Sequence, residues 1–298
     1  MGSLRIDEVK GYTPVGSHGL VTASRRRTGS GPIFLTLALA VGGLLFLYPF
    51  LWMLATSLKP EIEVYSAPLS LLPGEWKWSN YREAFELVPF GRFYLNTVIM
   101  TICRVIGQMA LASMAAYAFA RLRFPGRSAL FVLVLAVMMV PSIVTMIPRF
   151  ILLMTLGWLD TFYGLIIPGL ADAFGIFLLR QFFLTLPQEL LDAAAMDGCN
   201  PFQSFWRIAL PLARPALAAY GFLVILWTWN DFLWPLVVVT STDMMTISLG
   251  IQLFQNQYSK NITLMMAAAS ISILPMMVLF LLAQRYIIQG ITMSGLKL

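Results

Sequence analysis

The stretch that decides the architecture is residues 187–215, which reads PQELLDAAAMDGCNPFQSFWRIALPLARP. Pro187 suits the first position of a helix, and Glu189 in the first turn favours the positive end of the helix dipole. Gly198 can adopt the left-handed conformation that closes a helix. One small apolar face is predicted from residues spaced i, i+3 and i+4: Leu190, Ala193 and Ala194.

A second short helix follows directly. Asn200 suits an N-cap, Pro201 the first helical position, and Gln203 the third position of a capping box. Its apolar stripe consists of Phe202, Phe205, Trp206 and Ala209. Pro211 and Pro215 are expected to end it. The stretch therefore predicts a helix–glycine–helix elbow, and an ordinary helical loop without a partner is the alternative.

Composition places most of the chain in lipid. Of 298 residues, 59% are hydrophobic and 11% are charged, whereas soluble proteins carry about a quarter charged residues. A net charge of +6 in such a chain indicates basic cytoplasmic loops and not nucleic-acid binding. Cys103 and Cys199 lie far apart and have no metal-ligand spacing, and the one histidine, His18, lies in the polar N-terminal segment.

Six apolar runs each approach the roughly 20 residues that cross a bilayer. They cover residues 33–57, 95–119, 129–154, 162–183, 216–239 and 263–284. The first run exceeds the apolar region of a signal peptide, so we interpret it as an uncleaved span. The sequence thus predicts an all-α integral membrane protein with six transmembrane helices.

The distribution of basic residues predicts the orientation. With a cytoplasmic N-terminus, arginine and lysine concentrate in the inner connections, while acidic residues dilute them in the outer ones. Both termini and the elbow are then cytoplasmic. Four segments follow: a mobile tail (1–33), the first helix with an outer loop (34–94), a five-helix core containing the elbow (95–284) and a C-terminal tail (285–298).

Both large outer loops are expected to contain helices. The loop at 58–92 is rich in proline and tryptophan and predicts a short interfacial helix near 81–87. The loop at 240–262 is polar with a helical apolar pattern.

Several catalytic patterns are missing from the sequence. There is no G-x-x-x-x-G-K-[ST] for binding ATP, and no G-x-S-x-G or H-E-x-x-H. The sequence therefore predicts no catalytic residue, no metal site and no cofactor in this chain.

The elbow resembles a known motif. The spacing D-A-A-x3-G-x9-I-x-L-P is similar to the "EAA" coupling loop of ABC-importer permeases, with aspartate where glutamate is usual. It falls on Asp192, Ala193, Ala194, Gly198, Ile208, Leu210 and Pro211.

The resemblance extends over nearly everything after residue 34. Segments at 96–100, 115–127, 174–183, 229–236 and 284–297 look like the permeases of carbohydrate and glycerol-phosphate importers, with the six-span subunit of the maltose-type group as the nearest kind. The chain ends in Leu298, where that family more often has glycine.

The resemblance implies a fold and a set of partners. The fold is that of a type I ABC importer permease in the bacterial cytoplasmic (inner) membrane. A second related permease completes the pathway, two copies of a cytoplasmic ATPase bind ATP and Mg²⁺, and an extracytoplasmic binding protein delivers the substrate.

The resemblance also implies contacts with the ATPase. The elbow would dock in a cleft of the ATPase through the matched positions and Asp197, and small side chains there would permit a close approach. The C-terminal tail would reach the ATPase through Gly290, Ser294 and Lys297.

Polar groups inside the spans are candidates for the pathway, because ionisable residues are costly in lipid. The candidates are Asp172, Trp227, Asn230 and Asp231. Tryptophan can pack on a sugar ring, while asparagine and aspartate bond its hydroxyls. The alternative is a polar cluster between helices. Arg104 and Asp172 are expected to form a buried ion pair that holds two spans together.

Other classes remain open at this point. An ion-coupled secondary transporter would be expected to show inverted repeats, and an intramembrane enzyme would need a nucleophile or a metal cluster. A structural membrane partner is a further alternative. Sugars, glycerol 3-phosphate and glycerophosphodiesters are all possible substrates, although no basic cluster is evident in the spans to favour a phosphate.

Overall fold

The computed structural model describes the backbone of residues 31–68, 70–257 and 261–295. Side chains are described within those ranges from residue 34 to residue 281, and for Gln284. The predicted N-terminal tail therefore lies almost entirely outside the described residues, and helix α1 already begins at Gly31.

All regular structure in the described ranges is helical. The helices are α1 (Gly31–Ser57), α2 (Glu61–Ser66), α3 (Ser79–Leu87), α4 (Phe90–Arg121), α5 (Arg127–Met138), α6 (Ser142–Thr155), α7 (Phe162–Ile166), α8 (Ala173–Thr185), α9 (Gln188–Met196), α10 (Pro201–Ser204), α11 (Leu210–Leu212), α12 (Arg214–Trp229), α13 (Leu233–Val238), α14 (Ile247–Gln257) and α15 (Ile262–Gly295). Short 3₁₀ turns lie at Ile167–Gly169 and Thr242–Met244, and a π-turn lies at Phe205–Ala209.

Up to six spans result, as predicted. Helices α1, α4 and α15 are each long and apolar enough to cross a membrane alone. Three bent pairs supply the others: α5 with α6 at 97°, α7 with α8 at 41°, and the segment Pro201–Leu212 with α12 at 77°. The predicted fifth span at 216–239 is not continuous, because α12 ends at Trp229 and α13 begins at Leu233.

The chain divides into two compact units, residues 1–48 and 49–298. Only the first part of α1 is described in the first unit. In the second unit the end of α1 is fixed through buried polar groups, since Asn80 donates to the carbonyls of Ser57 and Lys59 at 2.9 Å each. The buried Lys59 ammonium donates to the Ser70 hydroxyl at 2.7 Å.

The largest buried cluster joins α4, α8 and α12. A stripe of alanines on α4 (Ala112, Ala116 and Ala120) faces Leu179 and Phe183 of α8. Small side chains let these helices approach closely, which is how membrane helices pack. At one crossing only glycine fits, because a Cβ at Gly175 would lie 2.1 Å from the hydroxyl of Tyr220.

A second cluster packs the start of α4 against α14 and α15, through Phe90, Phe93, Phe254, Ala267 and Ala268. The Thr97 hydroxyl accepts the N–H of Ile247 at 2.8 Å, which fixes α14 on α4. Both helices predicted in the large loops are present, as α3 and α14.

The predicted C-terminal tail begins within a helix. Helix α15 continues without a break to Gly295, so the backbone at Gly290 and Ser294 is helical. Lys297 lies outside the described residues.

Candidate functional site

The turn of the elbow forms as predicted. At Gly198 the backbone has φ of 82°, the left-handed region that glycine enters without a steric penalty. The N–H of Cys199 donates to the carbonyl of Ala194 at 2.9 Å, and the N–H of Asp197 donates to that of Ala193 at 3.0 Å. The two short helices are therefore joined by a hydrogen-bonded turn.

The capping box after the turn is also confirmed. The Asn200 side chain accepts the N–H of Gln203 at 2.8 Å, and the Gln203 side chain accepts the N–H of Asn200 at 2.9 Å. Pro201 occupies the first turn of α10. These paired bonds satisfy N–H groups that the start of a helix otherwise leaves without partners.

The buried face of α9 differs from the predicted one. Leu191 and Ala194 are buried, whereas Leu190 and Ala193 are exposed. The helix begins one residue later than expected, with Pro187 as its N-cap. Ala194 therefore serves the packing of the elbow on the protein, and the small residues on its surface are Ala193 and Ala195.

The apolar stripe of the second helix is split. Phe205 and Ala209 are buried, but Phe202 and Trp206 are 62% and 51% exposed. The chain forms a π-helical turn at Phe205–Ala209, which is wider than a turn of α-helix, so the α-helical spacing used for the predicted stripe does not hold there.

The prolines do not end this helix where expected. Pro211 lies within α11, and the chain bends after Leu212 before α12 begins at Arg214. Ile208, Leu210 and Pro211, three positions matched to the coupling motif, are all half-buried.

Arg121 fixes the elbow to the helix bundle. Its guanidinium donates to the carbonyl of Phe183 at 2.6 Å and to that of Leu186, at the C-terminal end of α8. It also donates to the Gln188 side chain at 2.8 Å, and Gln188 donates to Asp192 at 3.0 Å. A cation at a helix C-terminus is favoured by the helix dipole. The exposed Asp192 is thereby connected to α4.

The predicted ion pair between Arg104 and Asp172 is wrong. Arg104 Nη1 instead lies 3.0 Å from Asp231 Oδ2, and the two side chains are 9% and 21% exposed. Arg104 also donates to the carbonyl of Leu165, with Nη2 at 2.6 Å. Asp231 follows the end of α12, so this pair joins α4 to the break between α12 and α13.

Asp172 is occupied elsewhere, which explains the difference. It is the N-cap of α8 and accepts the N–H of Gly175 at 2.9 Å. Asp172 also accepts a hydrogen bond from the Tyr220 hydroxyl, at 2.7 Å from Asp172 Oδ2. The same hydroxyl lies 3.2 Å from Gln108 Oε1. Gln108 donates to the carbonyl of Gly169 at 2.6 Å. Two sets of hydrogen-bonded residues thus lie beside the break between α7 and α8. One is Arg104 with Asp231, and the other is Gln108, Tyr220 and Asp172.

Two other pathway candidates, Trp227 and Asn230, lie on the surface of the chain. The Trp227 ring packs edge-on against Phe174, with 5.4 Å between ring centroids. Asn230 donates to the carbonyl of Leu226 at 2.7 Å and so closes α12. Of the four candidates, only Asp231 lines the cleft described next.

A cleft of about 290 Å³ opens beside the Arg104–Asp231 pair. Its walls come mainly from α6, α13 and the 3₁₀ turn at Ile167–Gly169. The lining residues are Arg104, Ser142, Ile143, Met146, Arg149, Pro168, Gly169, Asp231, Leu233 and Trp234. The indole N–H of Trp234 donates to the carbonyl of Gly164 at 3.0 Å, which fixes the ring. The cleft therefore lies where helix breaks bring polar groups together, as in transporters whose broken helices line a cavity.

Arg149 was not among the pathway residues predicted from the sequence, although an arginine within a predicted span is a candidate on its own. With Arg104 it places two guanidinium groups in one cleft. The sequence did not predict that these two arginines share a cleft, because they are 45 residues apart and belong to different helices.

Comparison with known proteins decides the family. Residues 108–293 match the family described as "Binding-protein-dependent transport system inner membrane component". The chain belongs to this family.

The permease is 37% identical to the arabinooligosaccharides transport system permease protein AraQ of Bacillus subtilis (strain 168), over 89% of this chain and 95% of that protein. It is 33% identical to the sn-glycerol-3-phosphate transport system permease protein UgpE of Yersinia pestis, over 88% and 96%. Among solved structures, a bacterial ABC transporter involved in the import of the acidic polysaccharide alginate matches with a TM-score of 0.77 and 26% identity, covering 86% of this chain and 96% of that chain.

These similarities confirm the fold and the general function. The protein is an ABC-importer permease with the type I fold, and its helices are those of a membrane permease. An ion-coupled secondary transporter and an intramembrane enzyme are therefore no longer alternatives.

Proposed function

We propose that this permease and a second, related permease form the pathway of an importer for a sugar or a similar polyhydroxylated solute. Two copies of a cytoplasmic ATPase bind ATP and Mg²⁺ and hydrolyse the nucleotide. An extracytoplasmic binding protein delivers the solute. The permease lies in the bacterial cytoplasmic membrane with both termini and the elbow on the cytoplasmic side.

The surface of the elbow is the observation that carries this proposal. Met196 in the first helix of the elbow is 89% exposed, and Phe202 and Trp206 in the second are exposed as well. Small residues, Ala193 and Ala195, lie exposed on the same helix as Met196. Exposed large apolar side chains next to small ones are typical of a docking surface. We propose that this surface, with Asp192, Asp197 and the turn at Gly198, enters a cleft on the ATPase.

The base of the elbow supports transmission of force. Arg121 binds the end of α8 and the start of α9 at once, and Phe205 and Ala209 are buried with Tyr117 and Phe183 in the largest cluster. A displacement of the elbow would then move α4 and α8 as a rigid body, as in hinge-type transitions. Ile208, Leu210 and Pro211 would carry the motion into α12.

The orientation rests on the basic residues near the elbow. Arg121, Arg123 and Arg127 lie at the end of α4, in the following turn and at the start of α5. Arg207 lies in the second helix of the elbow, and Arg214 begins α12. By the positive-inside rule, this concentration of arginines favours a cytoplasmic location for this end. The C-terminal end of α15, with Gly290 and Ser294, would then reach the ATPase from the same side, together with Lys297.

The substrate proposal uses what the relatives carry. Their names specify arabinooligosaccharides, glycerol 3-phosphate and alginate, all of which bear several hydroxyl groups. Asp172, Trp227, Asn230 and Asp231 remain our proposed pathway residues, with Asp231 at the cleft. Glycerol 3-phosphate or a glycerophosphodiester is the alternative to a sugar.

The test replaces a surface residue of the elbow. We expect Ala195→Arg to abolish uptake and the stimulation of ATP turnover by loaded binding protein, because a bulky charge prevents close approach. Membrane insertion should be unchanged. Uptake and ATP turnover are both measured on the assembly of permeases and ATPase in proteoliposomes.

The matched control is Ser128→Arg, which adds the same charge to an exposed residue of α5 on the same predicted side. It should retain uptake. If Ala195→Arg also retained stimulated ATP turnover, or if the unaltered permease purified without an ATPase, the coupling proposal would be wrong.

A further inference from the structure

The charges in the cleft do not balance. Arg104 is paired with Asp231, but Arg149 lines the same cleft and is exposed. Within the part of the chain that the structure describes, no hydrogen bond or ion pair engages the Arg149 guanidinium. The cleft thus holds two cationic groups and one carboxylate.

An uncompensated cation inside a membrane span is costly, and such groups mark the paths of substrates and ions by default. Arg149 lies within α6, in the second half of the predicted third span at 129–154. Its guanidinium offers a planar fork of donors that matches a carboxylate or a phosphate. An anion in the cleft would supply the charge that the chain itself does not.

The rest of the lining suits a hydroxylated ligand. Asp231 keeps acceptor capacity beyond its bond to Arg104, since its second oxygen has only a 3.3 Å contact with the N–H of Trp234. Ser142 adds a hydroxyl. The Trp234 ring is held by Gly164 and presents an apolar face of the kind that packs on sugar rings.

We infer that this cleft binds the anionic group of an acidic sugar or polyol, a carboxylate or a phosphate, through Arg149, while Asp231 accepts hydrogen bonds from its hydroxyls. This inference rests on the proposed function and names the class of substrate. A volume of about 290 Å³ is at the small end of ligand pockets, so the cleft holds one sugar or polyol unit at a time. The bond to Arg104 holds the Asp231 carboxyl at the wall of the cleft.

The experiment measures binding to the purified assembly of both permeases and the ATPase. The probes are glycerol 3-phosphate and galacturonate, compared with neutral glycerol and galactose, and radiolabelled ligand is counted on immobilised assembly. We expect each anionic probe that binds to do so at least about tenfold more tightly than its neutral counterpart, as one charged hydrogen bond provides. The two anionic probes distinguish a phosphate from a carboxylate.

Two substitutions make the test specific. Arg149→Gln should remove the preference for the anion. Arg149→Lys should keep only part of it, because the charge is retained but the planar fork of donors is lost. Arg123→Gln is the matched control. It removes an exposed arginine outside the cleft and should leave the preference unchanged.

Several outcomes would overturn the inference. One is an unchanged preference in Arg149→Gln, and another is failure of both anionic probes to bind the unaltered assembly. If Arg149→Gln separated the two permeases on size-exclusion chromatography, Arg149 would instead pair with a carboxylate of the second permease. Loss of co-purifying anionic phospholipid would assign it to a lipid headgroup. The proposed function fails by a different result, an unaltered permease that binds no ATPase.

Discussion

The elbow is built in the opposite way from the buried polar network, by which we mean the bonds of Arg104, Gln108, Asp172, Tyr220 and Asp231. The bonds that shape the elbow turn join residues no more than five positions apart, and most of the side chains that we propose to meet the ATPase are exposed. The network joins Arg104 to Asp231 across 127 residues and Tyr220 to Asp172 across 48, and its groups are mostly buried. The elbow is a local structure that packs on the helix bundle, whereas the network connects helices that are distant in the sequence. Substitutions should therefore separate coupling from stability.

The largest loss of stability should follow from breaking the buried ion pair. We expect Asp231→Ala to lower the free energy of unfolding of the purified permease by about 3–5 kcal/mol, because it leaves Arg104 buried without its partner. The double variant Arg104→Met with Asp231→Leu should recover much of that loss. Denaturation in mixed micelles provides the measurement.

A double-mutant cycle with Asp172 is the control for the partner of Arg104. Asp172→Ala removes the N-cap of α8, at a cost of about 0.5–2 kcal/mol, and its effect should add to that of Arg104→Met. Strong coupling between Arg104 and Asp172, with none between Arg104 and Asp231, would contradict the observed pairing.

A smaller loss of stability with a large loss of function is expected at the turn of the elbow. Gly198→Val forces a branched residue to φ of 82°, which costs about 1–3 kcal/mol. Uptake should fall to background, because the two helices no longer hold their angle. Gly126→Val is the matched control, since Gly126 has φ of 78° and a Cβ would meet nothing within 4 Å at either site.

Both glycine variants should lose similar stability, and only Gly198→Val should lose uptake. Equal uptake in the two variants would mean that the shape of the elbow does not matter for transport. Equal loss of uptake would mean that stability alone decides.

The smallest effect should come from Asp160, which belongs to neither region. Burial of its carboxyl opposes ionisation, but hydrogen bonds from Ser241 and from the N–H of Thr240 outweigh it, so the pKa of Asp160 lies below its ordinary value. These bonds link the loop before α7 to the loop after α13.

The sign of the pH dependence follows from that direction. Because the folded pKa is lowered, the stabilisation is complete above the unfolded pKa of about 4 and is lost as pH falls through the folded value. The thermal midpoint of the unaltered permease should thus fall below about pH 4 more steeply than that of Asp160→Asn. Asp243→Asn, an exposed residue of the same loop, should behave like the unaltered permease. Identical pH profiles for all three would remove this role of Asp160.

The elbow was predictable from the sequence because its determinants are local. A glycine that must be left-handed, an asparagine N-cap and a glutamine three residues later each act within one turn, so Gly198, Asn200 and Gln203 could be assigned without tertiary information. The six spans were predictable for a related reason, since hydrophobicity and length alone decide whether a segment crosses a bilayer.

The network and the cleft were not predictable, because they depend on which helices meet. Arg104 has two aspartates as candidates, and only the packing of α4 against the break after α12 selects Asp231. The role of Arg121 depends on the end of α8 lying beside the end of α4. The split stripe at Phe202 and Trp206 required knowledge of a π-turn, for which the sequence carries no recognised signal.

The wall that α6 contributes to the cleft has an evolutionary consequence. Ser142, Ile143 and Met146 line the cleft, yet no described residue of α6 belongs to the three buried clusters. Mutations can therefore accumulate along this wall without loosening the bundle that supports the elbow. If the cleft holds the solute, as we propose, a permease of this kind can change its solute through substitutions on one helix while the packing beneath the elbow stays the same.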